Sequence, residues 1–258
     1  MKGSPIDRGR EFLKDTVRLE FDFSRTDQSR GVAPPPLSKP CPSDAVRVSL
    51  PREGEGPAGG GPAKGVSSID LSRAVAGRRS RRRYRDESLS IDETSFLLWA
   101  TQGVRTVLNN GTALRTVPSA GCRHALETYV IALNIDGVER GIYRYLPVEH
   151  ELCTIFTAED LSSRVVPAVL GQGFVAEAAA VLVWTAVPYR MEWRYGDAAH
   201  KVIALDAGHV CQNLYLACSA VGAGTCAVAA YHQVLMDQLL GVDGEEEFTI
   251  YLAPVGKV

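Results

Sequence analysis

The chain has 258 residues, with 28 Lys and Arg against 30 Asp and Glu, a pI near 6.2 and 45% hydrophobic residues. The near-zero net charge argues against a general nucleic-acid binder, no apolar run is long enough to span a bilayer, and the hydrophobic content suffices for one large core or two small ones. The N-terminus lacks the apolar stretch of a secretory signal. Cys41, Cys122, Cys153, Cys211, Cys218 and Cys226 form no C-x-x-C pair, so they read as free, mostly buried thiols of a cytoplasmic protein.

Residues 1–66 differ in composition from the rest. Residues 11–23 read as a short amphipathic helix with Phe12, Leu13, Val17 and Leu19 as its apolar members. Eight prolines and the cluster Gly59-Gly60-Gly61 follow, a composition that builds no core of its own. The segment is expected to be an extended arm over another surface, loose near 52–65, or else a plain linker. A single domain is expected over 67–258.

Within that domain, residues 68–77 read as a helix carrying Leu71, Val75 and Ile69 inward and ending at Gly77. Ser90-Ile91-Asp92-Glu93 is a capping box that opens a helix to Gly103. Residues 126–135 and 141–146 read as a hairpin about Asp136-Gly137. Residues 159–170 read as helix, and 178–187 as a central strand buried on both faces. Helical periodicity then runs from 192 to 221 and breaks at Gly222 and Gly224. A strand or loop at 225–230, a helix at 231–240 and a strand at 248–254 complete an α+β or mixed α/β pattern.

Three segments carry the chemistry. Arg78-Arg79-Ser80-Arg81-Arg82-Arg83 sets five permanently charged guanidinium forks around one hydroxyl, which suits a phosphate. Pro118-Ser119-Ala120-Gly121 and Gly222-Ala223-Gly224-Thr225-Cys226-Ala227-Val228-Ala229-Ala230 are small-residue stretches that let backbone approach a flat ligand. His209, Gln212 and Asn213 make a polar cluster in an apolar helix, read as a satisfied network at a buried interface. No metal site is expected, because the histidines share no i, i+4 spacing and have no paired cysteines.

Taken together, R-R-S-x-R-x-Y at 78–84, P-S-A-G at 118–121, L-E-x-Y at 126–129, D-A-G-H-x-x-Q-N-L at 206–214 and the Gly-rich turn at 222–226 resemble the nitroreductase-like flavoprotein superfamily. The likeness is to its branch of SagB/ThcOx-type dehydrogenases, which oxidise azolines in peptides, and it covers residues 67–257. The resemblance implies an α+β sandwich with a mostly antiparallel sheet, a homodimer, and FMN bound between subunits. It assigns Arg78, Arg79, Ser80 and Arg82 to the phosphate and ribityl chain, and Pro118, Ser119 and Ala120 of the partner to the ring. Ala227, Val228, Ala229 and Ala230 match the segment whose backbone N–H groups face flavin N5.

Two departures bear on function. Relatives place a late Lys or Arg on the phosphate, and here only Lys257, next to the last residue, can take that place. Azoline dehydrogenases carry a Lys-Tyr pair before D-A-G-H; Trp193-Arg194-Tyr195 stands there, and arginine is a poor general base. Tyr195, Arg194 and His124 are the candidate catalytic residues. The expected activity is hydride transfer through flavin N5, with NAD(P)H as electron donor and a small molecule or peptide as substrate. The alternatives are an azoline dehydrogenase, and a flavin-binding module without turnover.

Overall fold

Alternation along two central strands divides the core. The computed structural model describes residues 4–52, 65–108 and 111–258. Its helices are α1 (Pro5–Leu13), α2 (Val17–Glu20), α3 (Leu71–Gly77), α4 (Ile91–Gln102), α5 (Leu161–Ala168), α6 (Tyr189–Tyr195), α7 (Ala199–Ala220) and α8 (Gln233–Leu240). Its strands are β1 (Arg47–Ser49), β2 (Val104–Val107), β3 (Ala113–Arg115), β4 (Leu126–Ala132), β5 (Gly141–Leu146), β6 (Glu151–Thr157), β7 (Ala180–Ala186), β8 (Ala223–Thr225) and β9 (Phe248–Lys257). Seven of them form one antiparallel sheet in the order β1-β6-β5-β4-β7-β9-β8, and β2 pairs with β3 apart from it.

Every residue of β4 and β7 is buried. Val130, Leu182 and Trp184 join one cluster with Leu97 and Leu98 of α4 and Ile203, Val210 and Leu214 of α7. Tyr129, Ile131, Val181 and Val183 point the other way, to Leu161 and Val165 of α5 and Met236 and Leu240 of α8. The result is the expected α+β sandwich, a mostly antiparallel sheet flanked by helices on both faces.

The long helix expected over 192–221 is two helices. Gly196 takes φ 49 between α6 and α7, and a Cβ there would collide with the Phe21 ring from the arm. Apolar periodicity continues across the break, so it could not reveal it. The arm also departs from expectation. The helix expected over 11–23 begins earlier, at Pro5, on a Ser4–Asp7 capping box, and stops at Leu13. Leu13 and Leu19 are exposed. In α3 only Ala74 is buried, whereas Ile69, Leu71 and Val75, expected inward, lie on the surface of the single chain.

The arm is held by buried donors of the body. Arg115 donates to the Leu37 carbonyl at 2.8 Å, and Arg144 donates to the Lys39 and Pro40 carbonyls at 2.6 and 2.8 Å. The charges of Arg144 and Arg190 converge on Glu127, which is 2% exposed. Cys41 and Cys153 form a disulfide, with Cα atoms 6.2 Å apart, which corrects the reading of six free thiols. The pairing of β1 with β6 brings the arm beside Cys153 and closes a sequence separation of 112 that no spacing rule could bridge. The case for a reducing compartment therefore loses its cysteine argument. Most of the stretch expected to be loose, 53–64, lies outside the described residues. Among the described residues no helix is long and apolar enough to cross a membrane.

Candidate flavin site

The arginine run leaves α3 as extended chain laid against β8. Ser80 bridges to Thr225, and the Arg81 N–H donates to the Thr225 carbonyl at 2.9 Å. Extended backbone alternates its side chains, which sorts the run into two faces. On one, Ser80 Oγ meets the Tyr215 hydroxyl at 3.0 Å, the Arg78 guanidinium lies 5.3 Å over the Tyr215 ring, and that of Arg82 lies 5.9 Å over Phe174. On the other, Arg81 packs on Gly224, where a Cβ would sit 2.6 Å from its Cγ. Arg79 falls on the Arg81 side by the same alternation, so the face built around Ser80 is Arg78-Ser80-Arg82. All six residues from 78 to 83 are exposed and free to meet an anion.

Tyr215 joins this run to the third motif. Its hydroxyl accepts the Ala227 N–H at 2.9 Å. The Val228 N–H is taken by the Leu252 carbonyl at 2.8 Å. Among the described residues the N–H groups of Ala229 and Ala230 meet no acceptor, and both residues are exposed. Of the four positions aligned with the N5 segment, these two keep donors for a ligand.

Lys257 is differently engaged. Its ammonium donates to Glu93 Oε1 and, at 2.8 Å, to the Val221 carbonyl. The Glu93 partner comes from the capping box that opens α4.

The P-S-A-G loop is fixed from α7 and α6. The Ala120 N–H donates to both carboxylate oxygens of Asp206 at 3.3 Å, and the Ser119 hydroxyl also bonds that carboxylate. Burial raises the Asp206 carboxyl above the usual range, and these two donors oppose the shift. Gly121 takes φ 56, and a Cβ there would lie 2.7 Å from the Tyr195 hydroxyl and 2.8 Å from Arg194 Cδ. Two sequence candidates 73 and 74 residues downstream thus land on the loop by close backbone approach, which only glycine permits. Tyr195 is also covered by the Arg18 guanidinium at 5.7 Å.

His124, expected at the substrate, is 5% exposed, and its Nε2 bonds the Ala113 carbonyl at 3.0 Å. Burial, reinforced by the charge of Arg115, pushes it down to about 3. It is a neutral structural histidine inside the loop that carries Ser119. His209 and Gln212, read as buried, are exposed in the single chain; Asn213 donates to the Ala100 carbonyl at 2.9 Å.

A cavity of about 520 Å³ opens beside Ala229. Its lining is largely apolar: Ile203, Ala207 and Gly208 of α7, Ile250 and Tyr251 of β9, and Phe12 of the arm. Sequence reasoning missed this cavity because no contiguous motif marks it; its walls come from four separate elements.

The nitroreductase family profile matches residues 75–257. A protein named as a nitroreductase in Methanocaldococcus jannaschii is 34% identical over 192 residues, 74% of this chain and 93% of that one. A nitroreductase-like crystal structure from Ralstonia eutropha superposes with a TM-score of 0.66 at 26% identity, covering 87% of this chain and 97% of that one. The trifolitoxin-processing protein TfxB of Rhizobium leguminosarum is 28% identical over 60% of this chain and 44% of its own length, a likeness that supports the SagB/ThcOx branch. Proteins of the matched family are flavin oxidoreductases that use FMN. The chain belongs to the nitroreductase family.

Proposed function

We propose that this protein binds FMN between two copies of itself and transfers hydride to a flat, uncharged acceptor at the expense of NAD(P)H. The observation that carries this reading is the convergence on Tyr215: one hydroxyl ties the Arg78-Ser80-Arg82 face to the segment whose Ala229 and Ala230 N–H groups are unspent. A phosphate at the first and a ring edge at the second suit opposite ends of one flavin mononucleotide. Bound FMN would supply hydride transfer at N5, and the chain would hold, orient and electronically tune it.

The geometry of α7 supports a second copy. Asp206, which anchors the P-S-A-G loop, and Tyr215, which anchors the arginine run, are nine positions apart on that helix. Nine residues are about two and a half turns, so the two side chains leave opposite faces about 13 Å apart along the axis. A loop from a second chain is the simplest way to bring P-S-A-G to the arginine run. Exposed Leu71, Val75 and Leu205 give that chain apolar surface to cover.

Substrate choice follows from the side chains at the loop. Oxidising an azoline removes a carbon-bound proton, which calls for a base. Arg194 offers a guanidinium, a poor general base, and Tyr195 sits under Arg18. Quinones and nitroaromatics need no such base, so they fit this site better. A peptide substrate is the second reading, favoured by the likeness to the trifolitoxin-processing protein.

The test is the flavin content of the purified protein and of Arg78→Ala/Arg82→Ala. Each charge-assisted bond lost costs about 1.5–3 kcal/mol, or one to two decades of affinity. Full flavin retention by the double variant through dialysis would refute the phosphate assignment. A monomer holding one equivalent of FMN would refute the shared site.

A further inference from the structure

We propose that His200 is the catalytic proton donor to an acceptor bound in the apolar cavity, oriented by Glu192. His200 lines the same cavity as Ala229, so it faces the space beside the proposed N5 edge. Its Nε2 lies 2.9 Å from Glu192 Oε1, a hydrogen-bonded pair in which the carboxylate fixes the ring's orientation. Nδ1 is the ring nitrogen left for exchange with a ligand.

The fold makes this pair by breaking a helix. Glu192 belongs to α6 and His200 to the first turn of α7, eight residues apart. In one straight helix eight residues span about 12 Å, beyond reach of a hydrogen bond. The turn at Gly196, forced open for Phe21, brings them together. The residue that made the sequence misleading thus assembles the pair.

Among the cavity walls the competing donor is Tyr251. Burial and its contact with Cys211 push that phenol up to about 12, far from working pH. The remaining lining side chains are hydrocarbon or glycine. Arg194 and Tyr195 are committed to the P-S-A-G loop.

This assignment rests on the flavin reading above. Bound reduced flavin would supply the two electrons and one hydrogen that a quinone takes as hydride. The second hydrogen passes as a proton from imidazolium Nδ1 to the quinone oxygen, completing the hydroquinone. Neutral His200 then regains its proton from solvent.

The experiment compares two acceptors on the flavin-loaded protein: 2-methyl-1,4-naphthoquinone, which needs a proton, and ferricyanide, which takes electrons alone. In His200→Gln the ratio of quinone to ferricyanide turnover falls about 10²-fold, the usual worth of a positioned acid, and Glu192→Gln lowers the same ratio by less. An unchanged ratio in His200→Gln overturns the proposal. Independently of turnover, the imidazole 15N signals of His200, identified by their loss in His200→Gln, shift when the quinone is added to oxidised or flavin-free protein. Signals that do not move overturn it as well. A protein that takes up no FMN overturns the flavin reading instead, and the 15N titration still decides where His200 stands.

Discussion

Lowering the pH from about 8 to about 5 will cost this fold about 4 kcal/mol, and two histidines are responsible. His124 and His150 are 5% and 8% exposed. Burial, the largest cause in each, pushes them down to about 3 and about 4, with the charge of Arg115 adding to the first and that of Arg52 to the second. His150 is further locked neutral between Ser95 Oγ at 2.7 Å and the Tyr145 hydroxyl at 2.8 Å. A histidine depressed in the folded state binds fewer protons there than in the unfolded chain. Its contribution is therefore complete above the unfolded value of 6.5 and is lost as pH falls towards the folded value. At pH 5 each is about 1.5 units below 6.5, and at 1.36 kcal/mol per unit each has lost about 2 kcal/mol. That is a large share of the roughly 5–15 kcal/mol that ordinary domains possess. Asp206 works against it: its raised carboxyl contributes at acid pH and loses that contribution as pH rises. Urea midpoints at pH 8, 6.5 and 5, taken on flavin-free protein, measure the loss. His124→Gln and His150→Gln should each remove about half of the slope. A midpoint independent of pH, or a slope that survives in both variants, would refute the burial argument and reopen His124 as a solvent-facing catalytic residue.

Glu127→Gln should destabilise by about 3–5 kcal/mol in the same urea assay, because it leaves Arg144 and Arg190 buried without their counter-charge; a variant as stable as the parent would mean those charges are neutralised elsewhere. Gly196→Ala should lower stability by about 1–3 kcal/mol through its positive φ and the Phe21 ring, and Phe21→Ala should recover the steric part in a double-mutant cycle. On substrates, azoline peptide under oxygen should be oxidised more slowly than quinone is reduced with NAD(P)H; faster azoline oxidation, undiminished in Arg194→Ala, would place a base elsewhere.

What the sequence made legible was what repeats locally. The buried run of β7, the capping box of α4 and the β4–β5 hairpin follow from periods and caps within one segment, and all three are present. The small-residue motifs were visible too, because Gly121 and Gly224 report close backbone approach wherever their partners come from. What stayed hidden depends on a second segment. β1, the edge strand, has three residues and its neighbour β6 is only partly buried, so neither carried a distinct pattern, and the Cys41–Cys153 bond went unseen with them. Composition left the arm open between a wrapping segment and a plain linker, because its hold on the body resides in Arg115 and Arg144, buried donors that a composition count reads as surface charge.

The same reasoning bears on the two histidines. A histidine near a motif looks functional in sequence because proximity along the chain is all that sequence shows. His124 lies five residues past Ser119 and is buried by the very loop it belongs to. His200 has no motif around it, yet a helix break places it on the cavity with a carboxylate partner. Burial separates them: a group held neutral well below working pH can stabilise a loop but is a poor proton donor, whereas His200 lines the cavity with a carboxylate 2.9 Å from its ring. In this chain the arm, through Phe21 at Gly196 and Phe12 at the cavity, sets both the break and one wall of that space. The segment that looked least structured in sequence therefore shapes one wall of the cavity proposed to hold the acceptor.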